Sequence, residues 1–181
     1  MPVSLASTSA SSMHGAVVPI AYATPAGTTS VTFNNIPQVY QDLMLVVNGL
    51  DAATGGVSGY SIGINNDYTA NKSDTTLEGN GSTAYSSRTS GNGGWSVSGF
   101  PGATGIPGSS QVHILNYANT TTFKTAIMRY AADRNGSGVT GLRVSLNRQT
   151  TAIVRLDFFP FTSPFGTGTT ITLYGIRTVG Q

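Results

Sequence analysis

Clusters of Gly, Asn, Pro and Ser interrupt this chain about every eight to twelve residues, and almost nothing between them repeats at the helical period. This spacing is typical of short antiparallel strands. Strand-like runs lie at 16–22, 29–36, 42–50 and 59–65, and again at 110–117, 122–130, 141–147, 151–159 and 169–178. The sequence therefore predicts an all-β fold, an antiparallel, jelly-roll-like sandwich of about nine to ten strands.

The N-terminus and the middle of the chain differ in composition from the rest. Residues 1–15 are polar and rich in Ser, which predicts a flexible N-terminal arm before a single domain at 16–181. Residues 66–110 are dominated by Gly, Ser, Asn and Thr, and we expect long loops there with one or two short strands.

Residues 141–147 show the clearest alternation of apolar and polar side chains. This pattern predicts a strand with one buried and one solvated face. The apolar set is Leu142, Val144 and Leu146, and the polar set is Arg143, Ser145 and Asn147. Residues 151–159 and 169–178 alternate in the same way.

The composition excludes several functional classes. The 181 residues include no Cys, which removes disulfide scaffolds, Cys-based zinc sites and thiol catalysis. Only 9% of the residues are charged, the net charge is +2, and no run of Lys or Arg forms a phosphate track, so no nucleic-acid partner is predicted. The longest apolar stretches, such as 43–47, are too short to span a bilayer, so no membrane partner is expected. The N-terminus lacks the basic and apolar regions of a secretory signal peptide.

Charge is unevenly distributed along the chain. Residues 1–123 carry two basic side chains against five carboxylates, whereas residues 124–181 carry seven against two. One interpretation is chance; another is a subunit whose two ends differ in sign and meet head to tail in an assembly.

No pattern of catalytic or metal-binding residues stands out. The two histidines, His14 and His113, have no partner at a signature spacing, and His113 is interpreted as a hydrogen-bonded strand residue. Residues 133–138, DRNGSG, resemble a calcium loop but supply a single carboxylate, so they are interpreted as a hairpin turn. We therefore expect no cofactor and no enzymatic activity.

Aromatic side chains in or beside the loop-rich middle are candidates for contact with a sugar or a protein. The alternative is that the tryptophan and some of the tyrosines fill the core. The predicted interaction residues are Tyr68, Tyr85, Trp95 and Phe100, together with Met13 and His14 of the arm.

Four segments together resemble one protein family. They are FNNIPQVYQDLMLVVNG (33–49), LEGNGSTAYSSR (77–88), HILNYANTTTFKTAIMR (113–129) and GTGTTITLYGI (166–176). In this order they are similar to a family of small virion structural proteins of tailed bacteriophages. The resemblance covers most of residues 30–178, and the family supplies no catalytic residues to transfer.

Residues within these segments also have a direct physical reading. Pro37 removes a ladder donor, so the strand through Phe33 should stop at Ile36. Asn119 with the following threonines predicts a polar turn. Gly175 permits a bulge or a close approach of other groups to the backbone.

The resemblance implies a non-catalytic virion component, assembled in the host cytoplasm. Our first expectation is an oligomeric capsid decoration (cement) protein, predicted as a homotrimer, that also contacts other virion proteins such as the major capsid protein. The alternative is a receptor- or carbohydrate-binding module of a tail fibre or baseplate that binds a glycan on the host surface.

Overall fold

A computed structural model describes residues 16–50, 57–101 and 105–177, and it places twelve strands and no helix in them. The predicted arm, with Met13 and His14, lies outside the described residues. The strands are β1 (Val17–Ala23), β2 (Val31–Phe33), β3 (Asp42–Gly49), β4 (Val57–Ile64), β5 (Lys72–Gly79), β6 (Ala84–Asn92), β7 (Trp95–Pro101), β8 (Gly108–Leu115), β9 (Lys124–Asp133), β10 (Gly138–Asn147), β11 (Leu156–Pro160) and β12 (Thr170–Ile176).

Two antiparallel sheets contain these strands. The larger sheet has eight, in the order β1-β12-β3-β8-β9-β10-β5-β6, and the smaller has four, in the order β2-β11-β4-β7. Within them β1 pairs with β12, β2 with β11, β3 with β8 and β4 with β7. A long hairpin wound around a barrel produces this nested pairing, which is the jelly-roll order. The predicted all-β, jelly-roll-like sandwich is confirmed.

The remaining four strands lengthen the larger sheet beyond β8. We call β9, β10, β5 and β6 the extension. Strand β7, at the edge of the smaller sheet, packs across β8, β9, β10 and β5. The outermost strand, β6, is exposed along nearly its whole length.

The extension corrects the expectation for the middle of the chain. Residues 66–110 contain β5, β6 and β7 rather than long loops, which raises the strand count to twelve. Strand β6 has no apolar alternation because neither of its faces is buried. Backbone pairing with β5 along its length holds it, and side-chain patterns do not report such pairing.

The hydrophobic core lies between the two sheets. Leu43, Leu45 and Leu173 of the larger sheet face Ile62 and Phe158 of the smaller one, and all are fully buried. The rings of Phe33 and Phe158 pack edge to face with centroids 5.4 Å apart. The predicted alternation of residues 169–178 is confirmed, since Ile171 and Leu173 are buried.

Segments that carry the family resemblance meet one another in the fold. The ring of Tyr40 lies over the backbone of Gly175, where an added Cβ would sit 2.3 Å from Tyr40 Cγ. The Tyr117 hydroxyl donates a hydrogen bond to the Pro37 carbonyl oxygen. The predicted close approach at Gly175 is therefore confirmed. Strand β2 ends at Phe33, three residues before the predicted end at Ile36.

The basic and acidic parts of the sequence do not lie at opposite ends of the described fold. C-terminal strands β9, β10 and β12 lie between N-terminal strands in the larger sheet. Several charges are also neutralised internally: Lys72 pairs with Asp67, and Arg155 with Asp157. The head-to-tail interpretation therefore has no basis in this arrangement.

Candidate interaction surfaces

Strand β10 turns its apolar face outward, which reverses the sequence prediction. Leu142 and Val144 are exposed, while Ser145 and Asn147 are fully buried. The alternation was identified correctly, but its two faces were assigned the wrong way round, because β10 belongs to the extension and its polar face is the one covered by β7.

Hydrogen bonds satisfy much of that buried polar face. The Asp74 carboxylate accepts hydrogen bonds from the Ser145 hydroxyl and, at 2.9 Å, from Asn92 Nδ2. The Arg143 guanidinium donates to the Ser96 carbonyl oxygen of β7 at 2.5 Å. This network explains how polar side chains are accommodated inside.

The outer face of the extension carries an apolar patch. Leu142 is paired with Leu77 across β5, and Val144 with Ile127 across β9, so all four side chains point the same way. Their exposed fractions are 58% for Leu77, 44% for Leu142, 43% for Val144 and 40% for Ile127. Four adjacent exposed aliphatic side chains on one sheet face are typical of a contact surface.

A trough of about 720 Å³ runs beside this apolar patch. Its floor is a row of small residues in register across five strands of the larger sheet, and its wall includes Leu77 and Leu142. The floor residues are Ala84, Gly79, Thr140, Ala131 and Ser109. We call the apolar patch and this trough together the assembly face.

Trp95 does not lie at the surface. It is fully buried on β7 together with Tyr60 of β4, and Tyr117 is also buried. The alternative interpretation, that the tryptophan and some tyrosines fill the core, holds for these three residues. The side chain of Phe100 is outside the described part of the structure.

Tyr68 is half-exposed on the outer side of the smaller sheet. Its hydroxyl donates to Asp157 Oδ2 at 3.2 Å, and its ring packs edge to face on Phe159, with centroids 5.8 Å apart. Burial, and then the neighbouring carboxylate, raises the pKa of Tyr68. Asp157 is itself buried and accepts hydrogen bonds from Arg155 and Thr32.

Tyr85 is half-exposed on β6 and bonded to Glu78. Its hydroxyl donates to Glu78 Oε1, and the hydroxyl of Tyr130 donates to Glu78 Oε2 at 2.6 Å. Burial and then this hydrogen bond raise the pKa of Tyr130 to about 12, while the bond to Glu78 is the first cause of the raised pKa of Tyr85. Both tyrosines are therefore neutral donors at physiological pH.

Two further aromatic residues were missed by the sequence analysis. Phe159 lies near the end of β11, and Phe161 lies two residues later, just after the strand. Phe161 is half-exposed. The signal in the sequence was present on the neighbouring strand: Gly59 and Gly63 of β4 leave room for rings on that face.

The histidine and hairpin interpretations are confirmed. His113 Nε2 lies 2.8 Å from Asp42 Oδ2, so it is hydrogen-bonded within the larger sheet. Residues 133–138 form the β9–β10 hairpin, in which Asp133 Oδ1 accepts a hydrogen bond from the Asn135 backbone N–H.

Among the described residues, no group of three or more His, Asp or Glu side chains is placed to hold a metal ion. The same part of the chain has no helix that is long and apolar enough to cross a membrane. Searches of protein-family models, curated proteins and solved structures give no match to this chain. The resemblance to phage virion proteins therefore stays a prediction.

Proposed function

We propose that this chain is a non-catalytic structural protein of a tailed-phage virion, an oligomeric capsid decoration protein that docks through its assembly face. The observation that carries the proposal is the exposed apolar patch of Leu77, Leu142, Val144 and Ile127. Burying a fully exposed side chain of this size contributes about 1.5–3 kcal/mol, and these four are about half exposed, so covering each would contribute about half of that. Four such side chains on one face favour a partner that covers them.

The first partner we propose for this face is a second copy of the chain. Two arginines flank the patch in the sheet register, Arg129 next to Leu142 and Arg88 next to Thr75. We place both guanidinium groups at the rim of the contact, where charged groups keep access to water. The small-residue floor of the trough offers space for side chains of a neighbouring subunit. Contact with the major capsid protein is the second arrangement that would cover the patch.

Copy number in purified virions, measured by quantitative mass spectrometry, tests the virion role. A decoration protein is expected in hundreds of copies, and particles without it should lose resistance to heat and osmotic shock. A few copies with intact heads would contradict decoration and favour a fibre or baseplate component. Absence from the particle would contradict the virion role altogether.

Analytical ultracentrifugation tests the assembly face. Leu142→Arg should raise the Kd of the oligomer by at least about tenfold, because it places a charge in the apolar contact. Val154→Arg is the matched control, since Val154 is equally exposed but precedes β11 and lies off this face. A monomeric wild type, or equal effects of both variants, would contradict self-association through this surface.

A receptor-binding module is the second candidate, and the exposure of Tyr68 and Tyr85 favours it. Both tyrosines are on the side of the sandwich away from the assembly face.

A further inference from the structure

We propose that a line of aromatic side chains on this second side binds a neutral oligosaccharide. The line consists of Tyr68, Phe159, Phe161 and Tyr85 and is called the aromatic track. The inference goes beyond the assembly role and does not depend on it, because the track and the assembly face use opposite sides of the sandwich.

Two glycines of β4 seat the rings of the track against the sheet. A Cβ added to Gly63 would sit 2.6 Å from Tyr68 Cε1. One added to Gly59 would sit 2.1 Å from the Val97 carbonyl oxygen of β7 and 2.9 Å from Phe161 Cε2, so that glycine accommodates both the neighbouring strand and the ring. Each ring therefore occupies the space above a glycine, with one side against the strand. Because Tyr68 and Phe161 are still 48% and 50% exposed, the rest of each ring is open to a ligand. Rings held in this way lose little conformational entropy on binding.

A groove continues the track from Phe161 to Tyr85. It encloses about 460 Å³ where the extension overhangs the edge of the smaller sheet, and both rings line it. This volume lies within the usual range of small-molecule sites, roughly 300–1,000 Å³. The groove therefore has room for at least one sugar ring. The adjacent sugars of an oligosaccharide would then lie along the aromatic track.

Uncharged hydrogen-bonding groups and one carboxylate surround the groove. Ser58, Ser98 and Asn80 line it, together with Glu78. The Tyr85 and Tyr130 hydroxyls bind one oxygen each of the Glu78 carboxylate, so each oxygen retains a lone pair for a ligand hydroxyl. The Tyr85 oxygen, having donated its proton, is an acceptor as well.

This combination matches a sugar better than a phosphorylated or acidic ligand. A pyranose presents an apolar C–H face that stacks on aromatic rings and an edge of hydroxyl groups that donate and accept hydrogen bonds. The arginines described beside the track are already engaged: Arg155 is bound to Asp157, and Arg143 to the Ser96 carbonyl oxygen. The track therefore offers stacking, uncharged hydrogen-bonding groups and one carboxylate acceptor, rather than a free cation.

Isothermal titration calorimetry with a panel of neutral hexasaccharides of glucose, mannose, galactose and N-acetylglucosamine tests the proposal on the full chain. At least one should bind with a Kd of about 1 mM or tighter. Phe161→Ala and Tyr85→Ala should each weaken binding about tenfold, which corresponds to about 1.4 kcal/mol. Thermal unfolding of each variant checks that the fold is retained.

Tyr22→Ala is the matched control, because Tyr22 is an exposed tyrosine on β1 that does not belong to the track. Retained binding in this variant, with loss in the two track variants, supports the site. The proposed site would be overturned if no hexasaccharide bound or if Tyr22→Ala lost binding equally. Binding only of anionic polysaccharides or of a protein would overturn it as well. None of these results alters the copy number or oligomeric state that tests the assembly role.

Discussion

Lys72 and Lys124 lie on either side of Asn147 in one transverse row of the larger sheet, and both are fully buried. They are the only lysines in the chain. Each ammonium group binds the backbone carbonyl oxygen of the residue five positions earlier at 2.6 Å, Asp67 in one case and Asn119 in the other.

The turns that precede the two lysines are built alike. Asp67 Oδ1 accepts hydrogen bonds from the backbone N–H and hydroxyl of Thr69, and Asn119 Oδ1 accepts the same pair from Thr121. In each turn an Asp or Asn side chain closes the loop, and the ammonium group of the lysine five positions later binds carbonyl oxygens of that turn. Two turns of related sequence therefore anchor β5 and β9 to the same row of β10.

Amine-reactive labelling should distinguish the native protein from the unfolded one. Both ammonium groups are buried and hydrogen-bonded, so an N-hydroxysuccinimide ester should modify neither Lys72 nor Lys124 in the native state and both after denaturation. Peptide mass spectrometry reads the two sites separately. Fast native labelling at either lysine would contradict this arrangement.

Substitutions at Asp67 test how much its turn depends on the side-chain cap, because Asn119 makes the same cap with an amide oxygen. Asp67→Asn keeps an oxygen that can cap Thr69 but loses the ion pair with Lys72 and the hydrogen bond from Asn71 Nδ2, so it should cost about 1–2 kcal/mol. Asp67→Ala removes the caps as well and should cost about 2–4 kcal/mol. Urea denaturation measures both, with Asn119→Asp and Asn119→Ala as the matched pair. Equal losses for Asn and Ala at position 67 would show that the cap contributes nothing.

The regular part of the fold was predictable from local patterns. Turn clusters and period-two alternation marked most of the strands, because these signals depend on neighbours in sequence. Strand β6 gave no such signal, since it is an exposed edge stabilised by the backbone of β5. The outward direction of Leu142 was also unpredictable, because the pattern shows which residues share a face but not which face is covered.

The candidate sites were predictable only in part. Tyr68 and Tyr85 were singled out from composition and do lie at the surface, whereas Trp95 is in the core. Phe159 falls at the end of the predicted strand 151–159 without a surface role, and Phe161 lies outside the predicted strands. The contact of the Phe161 ring with Gly59 brings together residues about 100 positions apart in sequence, which no local pattern reports.

Trp95, as the single tryptophan, should report its burial through fluorescence. Its native emission should be blue-shifted relative to the denatured protein, and iodide should quench it weakly, because the ring is fully buried on β7. Strong quenching in the native state would place the indole at the surface and restore the original prediction.

Gly175→Ala should destabilise the protein by about 1–3 kcal/mol through overpacking. The new methyl group would lie within 2.5 Å of three atoms of the Tyr40 ring. In a double-mutant cycle, the combination with Tyr40→Ala should be less destabilising than the sum of the single changes, since the clash is gone. Gly79→Ala serves as the control, because the nearest atom to its added Cβ is Thr83 O at 3.8 Å. Additive effects would contradict the contact.

Acid should lower the free energy of unfolding in part by protonating Asp157. Burial opposes ionisation of this carboxyl group, but hydrogen bonds from Arg155 and Thr32 lower its pKa overall. A pKa lowered in the folded state stabilises the fold above the unfolded value of about 3.9, and this stabilisation is lost as pH falls through the folded pKa. Asp157→Asn should therefore cost about 2–3 kcal/mol at pH 7, through the charged hydrogen bonds to Arg155.

The difference in unfolding free energy between wild type and Asp157→Asn should stay nearly constant from about pH 7 to about pH 5. It should shrink as the pH falls further toward the lowered folded pKa of Asp157, because the wild-type carboxylate is protonated only there. Denaturant unfolding at a series of pH values measures this convergence. Asp133→Asn is the matched control: the new side chain keeps the oxygen that caps Asn135, so its curve should follow the wild type. A constant difference at all pH values would mean that the charge of Asp157 does not contribute and that only the shape of its side chain matters.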